Sequence, residues 1–543
     1  MKSEMKSPRR SESRSVPSNL TISARIIIGI AGPQKLEPKP VLIEAIHTAI
    51  EKIKQMAPSL QSTQLMLCIL STLTKNSDFI VAKEILKIPG SMLELIVPLK
   101  EESPTEYLER SASLKQFQDI SPEAASVREI PAKTYACVES YVVDECDVLL
   151  AFWDDKSTDE QRGLGEVIDY ARRNGCPLIL INTGDQEQVT VELGHGLNAR
   201  MFHDIDEYNS QRINAKKLRK ALLSQRSFFV SQAERTRLPL DKLSVTLEYF
   251  LPQLVRADIL ALRFQRLHHG TGSLIYILAA LAIFVAAFQS LFIPDRPLIL
   301  IFELVLLLIV LAIFLLGQRQ RWHNKWLDYR FLAERLRSAL FMALVNAGMT
   351  PSRRPRQLPL AFPAKAWMVA AFSTVWIQRP RFKIDDSVLS WELRDFIVRA
   401  WIDDQILYHK GISSRYYRRH QYMVLASFAS FALTIIFVLL YVVLRELSGV
   451  SHGTFINASG LMASFLPAVA ASITAIRTHR DYLRNSRLSA GMARYLEEMK
   501  VQTEKAKDHE DFLGLAKEIE ETMQRENQDW RVEIRFHKPA VPG

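Results

Sequence analysis

GSLIYILAALAIFVAAFQSLF (272–292) and LILIFELVLLLIVLAIFLLG (298–317) are separated only by Ile293, Pro294, Asp295, Arg296 and Pro297. At about 1.5 Å per residue, an apolar helix of about 20 residues is about 30 Å long, the thickness of a bilayer's hydrocarbon core. A connector with two prolines and one charge of each sign reads as a tight turn at the far membrane surface, not a translocated domain. The pair therefore reads as a transmembrane hairpin. Arg256, Arg263, Arg266, His268 and His269 precede it, and Arg319, Arg321 and Lys325 follow it. Because Lys and Arg collect on the cytoplasmic side, both ends of the hairpin are expected there.

A second pair follows: MVLASFASFALTIIFVLLYVVL (423–444) and TFINASGLMASFLPAVAASITAI (454–476). Arg415, Arg418 and Arg419 lie before it, and Arg477, Arg480, Arg484 and Arg487 after it. The expectation is a multi-pass protein of the cell (inner) membrane, with four spans in the lipid bilayer and both termini cytoplasmic. In the fourth span Gly460, Ser464, Ala468 and Ser472 recur every four residues, a ridge that permits close helix approach. Asn457 and the kinking Pro467 add polarity and freed carbonyls. This face suits either packing within one chain or the lining of a pore in a homo-oligomer. Glu303, the only formal charge inside a span, would cost about 2.5–3.5 kcal/mol facing lipid at mid-bilayer. Its place near the outer end favours snorkelling or inward pairing.

The chain carries 69 Lys+Arg against 59 Asp+Glu, a net +10. Much of that excess flanks the apolar runs, where anionic headgroups account for it, so no nucleic-acid partner is expected. Cys68, Cys137, Cys146 and Cys176 all precede the first span, with no CxxC spacing or histidine pairing suited to a metal, and suit a reducing compartment. Residues 1–23 are polar and basic, without a signal peptide's apolar segment, and read as a disordered tail.

Between tail and membrane the pattern alternates. The short apolar runs 25–30, 65–70, 93–99, 147–153 and 177–182 read as strands, and 40–56, about 77–87, 104–117, 133–145 and 164–174 as helices. Strands apolar on both faces and alternating with helices imply a doubly wound parallel α/β sheet. Ligands of such sheets sit beyond the carboxyl ends of the strands. Two strand ends suit that role. Gly29, Ala31, Gly32 and Lys35 follow the first. Trp153 and Asp154 open a polar loop that is expected to enter a helix N-terminus through Gly163, Gly165 and Glu166.

The order of these segments, with Gly29-Ile30-Ala31-Gly32, the Asn76-Ser77-Asp78 turn, LELIVPL (93–99) and Cys146-Asp147-Val148-Leu149-Leu150-Ala151-Phe152-Trp153-Asp154-Asp155, resembles the SLOG domain. SLOG is a Rossmann-like nucleotide-sensing module named for the DprA and LOG proteins. The resemblance implies a nucleotide or nucleotide-derived ligand across the loops holding Gly29, Ala31, Gly32, Lys35, Asp78, Trp153, Asp154, Gly163, Gly165 and Glu166. Cationic positions of a close branch are replaced here by Pro33-Gln34 and Phe79, which shifts phosphate recognition to Lys35, Lys75, Lys156 or Arg162. LOG-type hydrolases carry PGGxGTxxE; this chain has Glu166 after Gly165 without the double glycine or the threonine, so no catalytic residue is assigned. Beyond the second span, Trp326, Tyr329-Arg330, Ala333-Glu334 and Leu336-Arg337 form W-x-x-YR-x-x-AE-x-LR. That pattern resembles the SLATT family, the SMODS- and SLOG-associating membrane effectors of bacterial conflict systems.

The expected organisation is a tail (1–23), an α/β domain (24–226), a linker (227–243), juxtamembrane helices with the first hairpin (244–345), a connector (346–422), the second hairpin (423–476) and C-terminal helices (477–543). The function that follows is a non-enzymatic, pore-forming membrane effector of antiviral defence, gated by a nucleotide-class ligand, with no metal or other cofactor. The alternatives are a membrane-tethered LOG-type nucleotide hydrolase and a non-catalytic scaffold.

Overall fold

The computed structural model describes residues 20–98, 125–130, 135–153, 159–183, 188–345, 366–380, 391–448 and 453–536. The expected helix at 104–117, the 1–19 stretch of the tail, and Asp154 and Lys156 lie outside them. The strands are β1 (Ala24–Ala31), β2 (Leu65–Ser71), β3 (Met92–Pro98), β4 (Ser126–Ile130), β5 (Val148–Trp153), β6 (Leu178–Asn182) and β7 (Val189–Glu192). The first helices are α1 (Pro40–Met56), α2 (Asn76–Leu86), α3 (Tyr135–Glu145), α4 (Asp159–Arg173) and α5 (Ala199–Ser210). Next come α6 (Ala215–Thr236), α7 (Leu240–Phe292), α8 (Leu300–Arg319), α9 (Trp322–Leu344) and α10 (Trp367–Ile377). The last are α11 (Trp391–Ile397), α12 (Asp404–Ser448), α13 (Thr454–Arg480), α14 (Tyr482–Glu504) and α15 (His509–Phe536), with a π-helical stretch Val398–Asp403 between α11 and α12. They form two compact units, one of residues 17–212 and 351–379, the other of residues 213–350 and 380–543 with 1–16.

The first unit is a seven-stranded sheet in the order β4-β3-β2-β1-β5-β6-β7. Six strands are parallel and β7 runs antiparallel to β6. The doubly wound parallel sheet expected from sequence is thus present, with one antiparallel edge strand added. β4 (SVREI) and β7 (VTVE) are the polar edge strands, which lack the apolar run that marks the buried ones. On one face α3 and α4 cover Ile27, Gly29, Ala31, Leu70, Leu149 and Leu178. The β1–β3 part of the sheet carries a buried ion pair between Arg25 and Glu94 near its amino end. There α10 closes the unit: Ile377 packs on Met66, Cys68 and Met92, and Arg25 Nη2 donates to Ser373 Oγ at 2.8 Å. An 11-residue helix that is apolar on every side must be buried, and it is too short to cross a membrane. It was expected in the connector. It completes the α/β unit instead.

The second unit holds four helices long and apolar enough to cross a membrane: Leu243–Phe292, Pro297–Arg319, Trp391–Glu446 and Thr454–Glu504. Along the apolar window of the third no residue is buried, and along the second only 6% are, so these side chains need a non-aqueous solvent. The stretch expected as a linker is helical to Thr236, because Leu218, Phe229 and Ala233 form an apolar stripe and Phe229 stacks edge-on against Phe341. The break is confined to Arg237–Pro239, where Arg237 takes φ +60°. Pro252 sits inside α7 without ending it.

The two hairpins repeat one plan. A long helix (α7, α12) is followed by an apolar return helix (α8, α13), then a residue with positive φ (Arg321 at +54°, Asp481 at +46°), then a third helix (α9, α14). In each repeat the third helix packs back on the first. Across the repeats, α13 runs antiparallel to α7. Asn457 Nδ2 donates to Leu291 O (2.6 Å), Phe465 meets Phe284, Ser472 Oγ donates to Tyr276 O (2.9 Å), and Arg480 Nη2 donates to His269 O (3.1 Å).

Candidate functional site

In a sheet of order 4-3-2-1-5-6-7 the connections reverse direction between β1 and β5, and sheets of this kind hold their ligands beyond the carboxyl ends of the strands at such a switch point. Ala31 of β1 pairs with Ala151 of β5. The two strand ends singled out from sequence are thus neighbours at the switch point.

All residues of the predicted ligand set but Asp154 lie among those described. A Cβ on Gly29 would lie 2.8 Å from Val142 Cγ1, and one on Gly32 would lie 2.6 Å from Ser77 Cβ and 2.9 Å from Phe152. Both glycines serve close packing, Gly29 of strand against α3 and Gly32 of loop against α2. The loop after β1 is also tied to α2: Asn76 N donates to Gln34 O at 3.2 Å, and Asn76 Nδ2 donates to Leu36 O. Lys35 is exposed. Lys75 pairs with Glu139 of α3 at 2.6 Å.

Asp78 is the buried polar centre of this corner, 4% exposed. It accepts from Ser71 Oγ at 2.8 Å, and the same Ser71 oxygen accepts from Leu73 N at 2.9 Å, holding the turn in which Leu73 takes φ +51°. Burial pushes the Asp78 carboxyl up to about 6 against the pull of Ser71, Lys75 and Ser77. A desolvated carboxyl beside a strained turn, at the carboxyl end of a central strand, is an arrangement typical of functional clefts.

The β5 side differs from expectation. α4 starts at Asp159, five residues before its predicted start, so Gly163 and Gly165 lie within it. From the fifth helical position onward an amide is already bonded to the carbonyl four residues earlier, so these two cannot hold an anion through N–H groups. Gly165 instead leaves room beside the Trp153 ring, 3.7 Å from its Cβ position, and Glu166 is exposed.

The helical unit has a cavity of about 480 Å³, lined among others by His268, His269, His323, Arg330, Glu334, Tyr408, His479, Arg480 and Glu526. Burial pushes the Glu526 carboxyl up to about 7, with Arg330 opposing. Of this cavity the sequence singled out His268, His269, Arg419, Arg480 and the Trp326, Arg330 and Glu334 of the W-x-x-YR-x-x-AE-x-LR pattern; His479 comes from a segment two hundred residues beyond His268, and no local pattern connects them.

Compared with known proteins, the chain matches no family model and no curated protein. What it can do is therefore read from its own geometry. The fourth-span residues illustrate this. Gly460 sits where a Cβ would lie 3.0 Å from the Tyr441 ring, Asn457 and Ser472 are bonded to α7, and Ser464 Oγ donates to Gly460 O. Ala468 is half-buried, whereas Ser464 and Pro467 are exposed. The ridge thus packs within the chain along most of its length. Asp403 is bonded to Lys500 at 2.8 Å.

Proposed function

We propose that this protein is a membrane effector gated by a nucleotide-class ligand that binds at the β1/β5 switch point. The observation that carries the proposal is the union, on one chain, of a parallel-sheet switch point with four described helices of membrane length. The SLOG and SLATT resemblances point the same way, to a sensor joined to a membrane-acting partner in bacterial antiviral defence. The ligand contacts are assigned to the turn at Asp78, the loop after Gly32 and the Trp153 strand end. The Lys/Arg-rich flanks of the hairpins put both termini and the α/β unit in the cytoplasm of a cell with the spans in its inner membrane. The output is membrane permeation by a homo-oligomer, for which the exposed Ser464 and Pro467 surface of α13 is the contact available to a second copy. Hydrolysis is not favoured, because Glu166 is exposed on the third turn of α4, away from the helix amino end where a ligand's phosphate would lie.

A ligand gates such a protein only through unequal affinity for two states of the membrane region. The test is dye release from liposomes carrying the full-length chain on addition of nucleotides. It is paired with mass spectrometry of small molecules released from the purified protein.

A further inference from the structure

Three histidines from the two hairpins converge at one level beside the apolar spans. His268 and His269 close the polar part of α7, His479 ends α13, and their candidate ligand atoms all lie within 4.8 Å of one another. The approach is built into the helices. Gly272, one turn after His268, has the His479 Nε2 atom closer than van der Waals contact to where a Cβ would stand, so any other residue there would displace the ring. His268 Nε2 lies 3.2 Å from His323 Nδ1, and His479 is held by a hydrogen bond to the His268 main chain.

Two ring nitrogens in this cluster, His269 Nδ1 and His479 Nε2, are buried with no hydrogen-bond partner. A buried imidazole nitrogen left unbonded is costly unless a water or an ion meets it. An outer bond from each ligating histidine to a carbonyl or a second side chain is what fixes ring orientation in metal sites. His479 has such a bond to the main chain, and His268 has one to His323.

We propose that His268, His269 and His479 form a site for a divalent transition metal of the zinc, nickel and cobalt class, clamping the two membrane hairpins together. All-imidazole donor sets suit these ions. Tetrahedral coordination at about 2.0–2.1 Å places nitrogens about 3.3 Å apart, reached from the present spacing by side-chain rotation. All three histidines line the 480 Å³ cavity, which has room for a fourth, non-protein ligand. Arg330, Arg419 and Arg480, the last bonded to His269 O and Ser273 Oγ, are the opposing charges, and Glu334, Asp481 and Glu526 line the same cavity as counter-charges.

The test uses the full-length, tag-free protein in detergent, stripped with chelator and titrated with Co²⁺, followed by displacement with Zn²⁺. The expected result is one Co²⁺ per chain, with the visible absorption of a low-symmetry cobalt site, lost on adding Zn²⁺. His269→Gln and His479→Gln should each weaken binding at least tenfold, while His420→Gln, on α12 outside the cluster, should leave it unchanged. Elution volume and circular dichroism matched to the parent protein establish that the variants fold. The wild-type titration decides without them: absence of saturable one-per-chain binding overturns the proposal, as does stoichiometric binding that survives both substitutions.

Discussion

A methyl group at Gly32 would have to occupy space held by Ser77 Cβ and the Phe152 ring, 2.6 and 2.9 Å away. Both neighbours belong to the packed interior of the α/β unit, and overpacking of this kind typically costs about 1–3 kcal/mol. Gly32→Ala in the full-length protein should accelerate hydrogen exchange in β1 and α2 accordingly; an unchanged exchange rate would contradict the packing role. At Asp78 the effect is electrostatic. Its folded-state pKa is raised by burial to about 6, so the neutral form is the one the fold prefers. That contribution is complete below the ordinary carboxylate pKa and is lost as pH climbs from about 4 through about 6, leaving a buried anion at pH 7. A rise of that size is equivalent to at most about 3 kcal/mol. Asp78→Asn, which can still accept from Ser71, should therefore stabilise the ligand-free unit at pH 7 by about 1–3 kcal/mol and flatten the pH dependence between about 4 and 6. Hydrogen exchange of β2 across that range reads both, and a variant less stable at pH 7 would refute the assignment.

At the scale of elements, α15 is attached to α9 through a buried ion pair, Arg335 Nη1 to Glu520 Oε1 at 3.0 Å, with Gln524 donating to the same carboxylate oxygen. Burial pushes Arg335 down and Glu520 up, each toward its neutral form, so desolvation outweighs their attraction. Removing one partner leaves the other charge buried, which costs about 3–5 kcal/mol, whereas replacing both with apolar residues is close to neutral. Glu520→Ala should release α15 and expose it to protease, while Arg335→Met with Glu520→Leu should keep it docked. Equal protease sensitivity of the two variants would contradict this. The long elements were legible from sequence because their signals are local: two-faced apolar runs for β1, β2, β3, β5 and β6, membrane-length apolar runs for the four spans. β4 and β7 were not, because edge strands need no apolar face. α10 was not, because its partners Arg25, Met66 and Cys68 lie some three hundred residues earlier in the chain. The glycines after β5 were assigned to a loop because glycine disfavours helix interiors, although Thr158-Asp159-Glu160-Gln161 carries the capping-box pattern that marks the earlier start at Asp159. On the cavity side, His268 and His269 were visible as a pair, but His479 joins them only through the antiparallel packing of α13 on α7.

For the whole molecule, two physically different solvents are implied. The sheet unit buries its apolar surface within itself, whereas α8 and α12 expose theirs along most of their length, with Phe302, Leu304, Phe428 and Leu439 each more than half exposed. Only a bilayer satisfies the second condition while leaving the first unit in water. Under the proposed function, a ligand bound at the sheet's switch point would act by biasing the packing of the hairpins, whose contacts include side-chain to main-chain hydrogen bonds from Asn457 and Ser472 to α7. The most direct measurement is dye efflux from liposomes containing the full-length protein, recorded with a panel of nucleotides on the parent chain and on Lys35→Glu, which reverses an exposed cation in the loop after β1 without touching the packed interior. The account predicts efflux on addition of at least one nucleotide, and its loss in the variant while incorporation into the bilayer is retained. Bilayer-inserted parent protein that releases no dye with any nucleotide, or releases it equally with and without them, would contradict it.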